Sequence, residues 1–479
     1  MKHIFHFLTL IFLSFTSFPL FAQETTPLPL GEGQGGGAIL TLEQLKDSAL
    51  LNSFSMRKAR LGIDAAREQR KEAFTHYFPN VMAMGMGFRA NRAMGKMEIN
   101  PEEFMSAEMN AIMDYLQPLK TLLALDRPMS IEMMKSGALA SITALQPVFA
   151  GGQIVLGNKL ARLGEEISQL QLQLSEKEVE AQVERYYWQL VSMNEKTQTL
   201  DAVDSMLLQI RHDVETAVKA GVALRNDLLQ VQLRQNDIKS QRLKLNNGRE
   251  LMWLMLKQFC GLSETRTMDD LGLMNEELRL MNEDLGLMNE DSSQLSSISQ
   301  PQSSVVTQLP EYRLLEMSAE AAKLQRKMEV AKNLPSVAVG AGYNYHNLLE
   351  NDRHFGMVFA TVSLPITDWW GGSHAIRRKK IAEQEAQEKM TNNAELIAIN
   401  QRKAYNDVLA ALSQLELAQQ SAAQAEENLR IHRNTYRAGT ATMTDLLQAQ
   451  LLQQQARDQQ TEAFTALQLA RLDYRQVTR

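Results

Sequence analysis

The chain of 479 residues holds one cysteine, Cys260, so no internal disulfide can staple it. Proline is missing between Pro147 and Pro301 and again after Pro365. A proline inside a helix costs about 3 kcal/mol, so these gaps leave room for very long helices. Glycine is absent from Ser373 to Ala438, and from Gln153 to Ala220 only Gly157 and Gly164 occur, both near the start. At ~1.5 Å per residue each stretch would run roughly 100 Å, and a helix of that length is stable only if it packs along its length. Aromatic residues make up only 6 %, a poor supply for a β-rich core. The net charge of −6 provides no basic surface, which excludes nucleic acid as the expected partner. Past the N-terminus no apolar run reaches the ~18–20 residues of a spanning helix.

What is present begins with an address. Lys2 and His3 precede an apolar run from Ile4 to Phe21, and Ala22 offers a small residue before polar Gln23. Residues 1–22 therefore read as a secretory signal peptide, and 23–39 as a flexible N-terminal segment. No cysteine follows the cleavage point, so lipid attachment there is unsupported.

The rest is duplicated. Asp64–Lys71 is echoed by Glu320–Lys327, and Phe78-Pro79-Asn80-Val81 by Leu334-Pro335-Ser336-Val337. Lys219–Gln232 matches Arg437–Gln450, and Gly-Gly pairs stand at 151–152 and 371–372. Each half reads as helix, strand, strand, very long helix, tight glycine turn, helix. The first repeat spans 40–262, with strands near 80–89 and 139–149 and long helices 153–220 and 222–262. The second spans 310–479, with strands near 336–346 and 356–366 and long helices 373–438 and 440–479. The first carries about 38 extra residues, read as an external loop at 90–138 rich in methionine. A low-complexity connector at 263–309 repeats Met-Asn-Glu at Met274, Met281 and Met288. The helices near 43–77 and 310–333 have the length needed to stack end to end with the shorter returning helices.

The strands rest on alternation. Val337, Val339, Ala341, Tyr343 and Tyr345 alternate with Ala338, Gly340, Gly342 and Asn344; Met82, Met84, Met86 and Phe88 alternate with Ala83, Gly85 and Gly87. Bulky residues opposite small or polar ones is the pattern of a membrane-barrel wall, with lipid on the bulky side and lumen on the other. Four strands cannot close a barrel, and an open sheet edge in lipid is prohibitively costly. The strands must be pooled between chains. Tyr343, Tyr345, Trp369 and Trp370 are candidates for the aromatic girdle at the membrane interface.

At this point the sequence resembles a known family. The two copies of Ala-Gly-x-x-x-x-x-Asp-Leu-Leu-Gln-x-Gln, at Ala220–Gln232 and Ala438–Gln450, resemble the helical-hairpin tips of TolC-type outer-membrane efflux proteins. The Pro79 and Pro335 strand starts, the glycine pairs and the duplicated layout are similar too. The resemblance implies a mainly α protein with a membrane β-barrel portion: a homotrimer whose twelve-stranded β-barrel continues into a long α-helical barrel in the periplasm. It implies a passive exit duct for efflux or type I secretion, set in the outer-membrane lipid. Its partners would be a periplasmic adaptor and an inner-membrane pump of RND or ABC type. By the same analogy Gly221, Asp227 and Leu228, with Gly439, Asp445 and Leu446, form the adaptor-facing tips. Glu426 and Glu427 are the acids nearest a periplasmic constriction, a solvated helix face being the competing explanation.

Other chemistry finds no support. Gly152–Lys159 lacks the Gly-Lys-Ser/Thr ending of a phosphate-binding loop. The eight histidines show no metal-ligand spacing, and no nucleophile elbow or acid–base pair can be placed. No catalysis, metal or cofactor is expected. The alternative function is a periplasmic coiled-coil adaptor, although such proteins usually have one hairpin and more strands.

Overall fold

The computed structural model describes residues 40–92, 95–99, 129–133, 136–263, 265–268, 306–347, 352–366 and 368–478, with Met109, Ile112 and Leu271. The expected signal peptide, the segment 23–39, the Met-Asn-Glu repeat and the greater part of the 90–138 loop lie outside the described residues.

The first repeat comprises α1 (Leu42–Asn52), α2 (Phe54–Thr75), β1 (Asn80–Arg89), β2 (Gly95–Ile99), β3 (Met129–Met133), β4 (Ser136–Ala150), α3 (Gln153–Lys219) and α4 (Arg225–Cys260). The second comprises α5 (Pro310–Lys332), β5 (Ser336–Asn347), β6 (Arg353–Ser363), α6 (Asp368–Arg437) and α7 (Met443–Thr478). The long helices have 67 and 70 residues, as the proline and glycine gaps require.

Three local features differ from the sequence reading. The helix expected over 43–77 breaks at Ser53, whose backbone is extended at ψ 147° and whose hydroxyl accepts from the Met56 amide at 3.4 Å. Serine offers the backbone a side-chain partner and so competes with helix continuation. The Gly-Gly pairs are not equivalent. Gly151 and Gly152 form a turn at φ +61° and +87°, and a Cβ on Gly151 would lie 2.3 Å from the Ala331 carbonyl oxygen. Gly371 and Gly372 instead lie inside the first turns of α6, where Gly372 makes room for the Asn333 side chain. Finally, the expected loop after β1 contains an antiparallel strand pair, with Gly95 through Ile99 paired to Met133 through Met129.

The four main strands form one antiparallel sheet in the order β1–β4–β5–β6, so the β4–β5 ladder joins the two repeats. Pro147 is accommodated where the β4–β5 register shifts, the position at which a strand tolerates a missing donor. Below the sheet the helices lie side by side as α2–α3–α5–α6, and farther away as α4–α3–α7–α6. The end of α1 is seated against the end of α4: the Ser48 hydroxyl donates to the Cys260 carbonyl at 2.9 Å, and Asn52 packs on Gly261. At the other junction, Leu309 and Glu311 share a cleft with Gln476 and Val477 of α7.

The main core sits at this waist. Leu45, Met56, Val183, Leu190, Leu256 and Leu467 are at most 2 % exposed, and Trp188 meets Phe464 edge-on at 5.9 Å. A second cluster of Ile210, Val214, Val231, Met443 and Leu446 holds the two hairpins together near their tips.

Candidate functional site: sheet faces, flanks and helix tips

In an antiparallel ladder, directly opposed residues share a face, so the register sorts every strand residue. Met82, Met84 and Met86 oppose Thr143, Ser141 and Leu139. Those in turn oppose Gly342, Asn344 and His346 of β5, and the row ends at Met357, Phe355 and Arg353 of β6. The methionine stripe of β1 therefore shares a face with Asn344, His346 and Arg353. The other face joins Val81, Ala83, Gly85 and Gly87 to Ala144, Ile142, Ala140 and Ala138, then to Ala341, Tyr343, Tyr345 and the valines of β5 and β6. This corrects the expectation that the bulky residues of β1 and β5 line the same side of the wall. They point to opposite sides, and the small-residue side of β1 lies with the bulky side of β5.

Tyr343 and Tyr345 lie on this second face, Tyr343 being 59 % exposed, while Tyr345 opposes His354 and donates its hydroxyl to Asp352 at 2.7 Å. Trp370 is 86 % exposed in the first turn of α6. The neighbouring Trp369 shares that turn, and its side chain lies outside the described residues.

The hairpin tips are built alike. At the first, Gly221 takes φ +76° and the Val222 amide donates to the Ala217 carbonyl at 3.0 Å. At the second, Gly439 takes φ +75° and the Thr440 amide donates to the Thr435 carbonyl at 3.0 Å. Left-handed backbone at a helix end is where glycine carries no Cβ penalty. Asp227 then caps α4, its carboxylate accepting from the Leu224 amide at 3.3 Å. Asp445 caps α7, accepting from the Thr442 amide at 3.0 Å and the Thr442 hydroxyl at 2.7 Å. Those bonds hold the Asp445 carboxyl below the usual carboxylate range.

The leucines differ. Leu446 is 1 % exposed and belongs to the core between hairpins, whereas Leu228 is half-buried. The apolar side chains that do reach solvent at the first tip are Val222, 80 % exposed, and Leu224, 70 % exposed. Two large aliphatic residues inside the five-residue link 220–224, where polar ones are the norm, are a signal that the sequence itself carries. The second tip offers Thr440 and Thr442 instead.

Glu426 and Glu427 each have an arginine partner. Glu426 accepts from Arg457 of α7 at 3.1 Å. Glu427 takes both ends of the Arg430 guanidinium at 2.6 and 2.7 Å, which holds its carboxyl below the ordinary range. Deeper in the seam Arg234 of α4 reaches across to Gln450 at 3.0 Å and Gln454 at 2.7 Å of α7, and Gln450 is fully buried. Nothing in the linear sequence marks that link.

The duplicated halves also share an ion pair. Arg70 meets Glu165 at 2.9 Å between α2 and α3, and Arg326 meets Glu383 at 2.5 Å between α5 and α6, at matching places in the two repeats. Among the described residues no group of histidine, cysteine or carboxylate side chains is arranged to hold a metal ion.

A four-stranded antiparallel sheet continued by two very long helical hairpins is a fold shared with solved outer-membrane channels. The chain superposes on the outer membrane protein VceC of Vibrio cholerae with a TM-score of 0.67 at 13 % identity, covering 91 % of this chain and 95 % of that one. The CmeC outer membrane channel of Campylobacter jejuni gives 0.67 at 13 %, covering 94 % and 90 %. The open-state MtrE outer membrane channel of Neisseria gonorrhoeae gives 0.65 at 15 %, covering 92 % and 89 %. A search of curated proteins by sequence found no match. Residues 309–478, which hold the second repeat, match the family model described as outer membrane efflux protein.

Proposed function

We propose that the protein is a passive exit duct of the bacterial outer membrane, reaching into the periplasm and working with an adaptor and an inner-membrane pump. The observation that carries this reading is that every layer of the protomer ends in an unpartnered flank. β1, α2 and α4 form one flank and β6 and α6 the other. On α4, Leu229, Leu233, Leu243, Leu251 and Leu254 are 48–69 % exposed and recur on one helix face. On α6, Ile381, Ile399 and Leu417 do the same at 57–63 %. Flanks that differ from each other yet run the full length of the chain suit head-to-tail closure into a ring. Three copies would pool twelve strands, within the range of membrane barrels.

In this reading the apolar sheet face meets lipid, Tyr343, Tyr345, Trp369 and Trp370 stand near the membrane interface, and the hairpin tips face the adaptor. Gly221, Gly439, Asp227 and Asp445 shape the tips, while Val222, Leu224 and Leu228 supply apolar contact. Opening would part the tips, and Glu426 and Glu427 lie close to the constriction. The periplasmic-adaptor alternative is disfavoured by the paired hairpins and the barrel-like sheet.

The test is extraction of the full-length protein from outer membranes in detergent, electrophoresis without heating, and conductance in planar bilayers. A heat-sensitive band at three times the chain mass and discrete channel openings are expected. A soluble periplasmic monomer would end this reading.

A further inference from the structure

The seam between the two hairpins holds a cleft of about 350 Å³ walled by three helices. Glu195, Gln198, Val203 and Met206 line it from one stripe of α3, Arg457 faces them from α7, and α6 adds Leu429. Glu195 stands roughly six turns before Lys219, the last residue of α3, so the cleft lies well above the tips. The α3 stripe is graded. Its sheet-ward end is polar and carries Glu195, whereas Val203 and Met206 make the end nearer the tip apolar. An apolar wall with a few placed polar groups, in a space of this size, is the makeup of a small-molecule site.

Glu195 is the charge in this cleft that the fold leaves unanswered. Around it the charged groups of the seam are paired: Lys196 meets Glu462 at 2.6 Å, Arg457 meets Glu426 at 3.1 Å, and Arg242 meets Asp201. The half-buried Glu195 carboxylate has no hydrogen bond or ion pair among the described residues, and burial alone pushes its carboxyl up. A charge withdrawn from water without a partner is costly, and a cation seated in the cleft would offset that cost. Because Arg457 and Glu426 balance each other, Glu195 leaves one negative charge to be met by one positive charge. The cleft runs between α3 and α7, the middle pair of the layer α4–α3–α7–α6, so a ring closed through the flanks α4 and α6 does not run through it.

We propose that this cleft is a binding site for a small organic monocation, an amidine, guanidine or amine with a compact apolar body. The cationic head pairs with Glu195 and donates to the side-chain oxygen of Gln198, while the body lies on Val203, Met206 and Leu429. A planar amidinium or guanidinium gives a carboxylate two parallel hydrogen bonds and so suits Glu195 best. The ligand touches α3 of the first hairpin and α6 and α7 of the second at once. It therefore ties the two hairpins together in the arrangement described. Binding at this site does not depend on the duct reading.

The experiment is titration of the full-length protein in detergent, followed by saturation-transfer nuclear magnetic resonance, with benzamidinium as probe and benzamide as its uncharged isostere. Benzamidinium should bind the wild type, and benzamide should bind roughly tenfold more weakly. Glu195→Gln keeps the shape and removes the charge, so it should weaken benzamidinium roughly tenfold. Met206→Ala should weaken it severalfold through lost apolar contact, and it supplies the comparison should Glu195→Gln fail to fold. Glu462→Gln removes a carboxylate of the same seam outside the cleft and should leave the dissociation constant unchanged. A wild type that does not bind benzamidinium would overturn the proposal, as would benzamide binding equally well. So would unchanged affinity in Glu195→Gln or in Met206→Ala. An equal loss in Glu462→Gln would overturn it too, by showing diffuse attraction to carboxylates. No arm reads conductance, so failure of the duct reading would leave this result standing.

Discussion

Glu184 is the residue whose removal should tell most about how the tube is held at its waist. It lies in α3, 4 % exposed, and its carboxylate accepts from Lys46 of α1 at 2.6 Å and from Arg475 of α7 at 2.5 Å. One side chain thus ties the first described helix and the last to the longest helix of the first repeat. Burial pushes its carboxyl up, but Lys46 and Arg475 together outweigh burial and bring it below the ordinary value. Glu184→Ala removes two charge-assisted hydrogen bonds, each worth roughly 1.5–3 kcal/mol when well shielded. It also leaves two cations facing each other. The loss is discounted because the side chains of Lys46 and Arg475 are 23 % and 48 % exposed and can turn to water. A net destabilisation of about 2 kcal/mol is expected at neutral pH. The assay is guanidinium unfolding followed by far-UV circular dichroism, at one fixed protein concentration because assembly is linked to stability.

The pH dependence has a definite sign. A carboxylate whose folded pKa is depressed contributes stability above its unfolded pKa, and that contribution is lost as pH falls through the folded pKa. The gap between wild type and Glu184→Ala should therefore be constant near neutrality. It should narrow only in acid, below the ordinary glutamate range. Glu184→Ala within about 0.5 kcal/mol of the wild type at pH 7, or a gap that widens in acid, would refute the reasoning. The exposed pair Lys196–Glu462, with side chains 27 % and 61 % exposed, is the internal control and should give well under 1 kcal/mol.

Three further outcomes follow from local geometry. Asp445→Ala removes the acceptor for the Thr442 amide and hydroxyl, so amide exchange at Thr442 should quicken severalfold at neutral pH; because the Asp445 carboxyl is depressed, the difference should fade in acid below its folded pKa. At Gly340 a Cβ would lie 2.5 Å from the Phe359 ring, so Gly340→Ala must displace that ring and should lower the temperature at which the unheated oligomer dissociates on a gel, unchanged mobility counting against the assigned β5–β6 packing. Cys260 is fully buried and its thiol is pushed up to about 12, so a maleimide should label it only after unfolding, and rapid labelling of the native protein would contradict the seating of α1 on α4.

Much of the architecture was legible because it is local or repetitive. Missing proline and glycine forecast the 67- and 70-residue helices, and the duplicated Ala-Gly motif forecast the turns at Gly221 and Gly439. Period-two alternation located β1 and β5. The serine break at 53 was missed because an apolar helical period continues across it, and the hydroxyl that stops the helix acts on a single amide.

What tertiary structure decided was relative placement. Alternation says that Met82 and Ala83 point oppositely, but only the ladders through β4 tell whether Met82 shares a face with Gly342 or with Tyr343. A one-residue slip would have reversed the answer, and with it the character of each face. In the same way Asp-Leu-Leu-Gln reads identically in both tips, yet Leu446 is buried between the hairpins while Leu228 is only half covered. The link from Arg234 to Gln450 and Gln454 joins residues more than two hundred positions apart, beyond the reach of any pattern along the chain. The sequence alone therefore determined the elements, their lengths and their duplication, since each depends on neighbours within a few residues. Which side chains meet across strands and helices was decided by register and packing, which only the folded chain possesses.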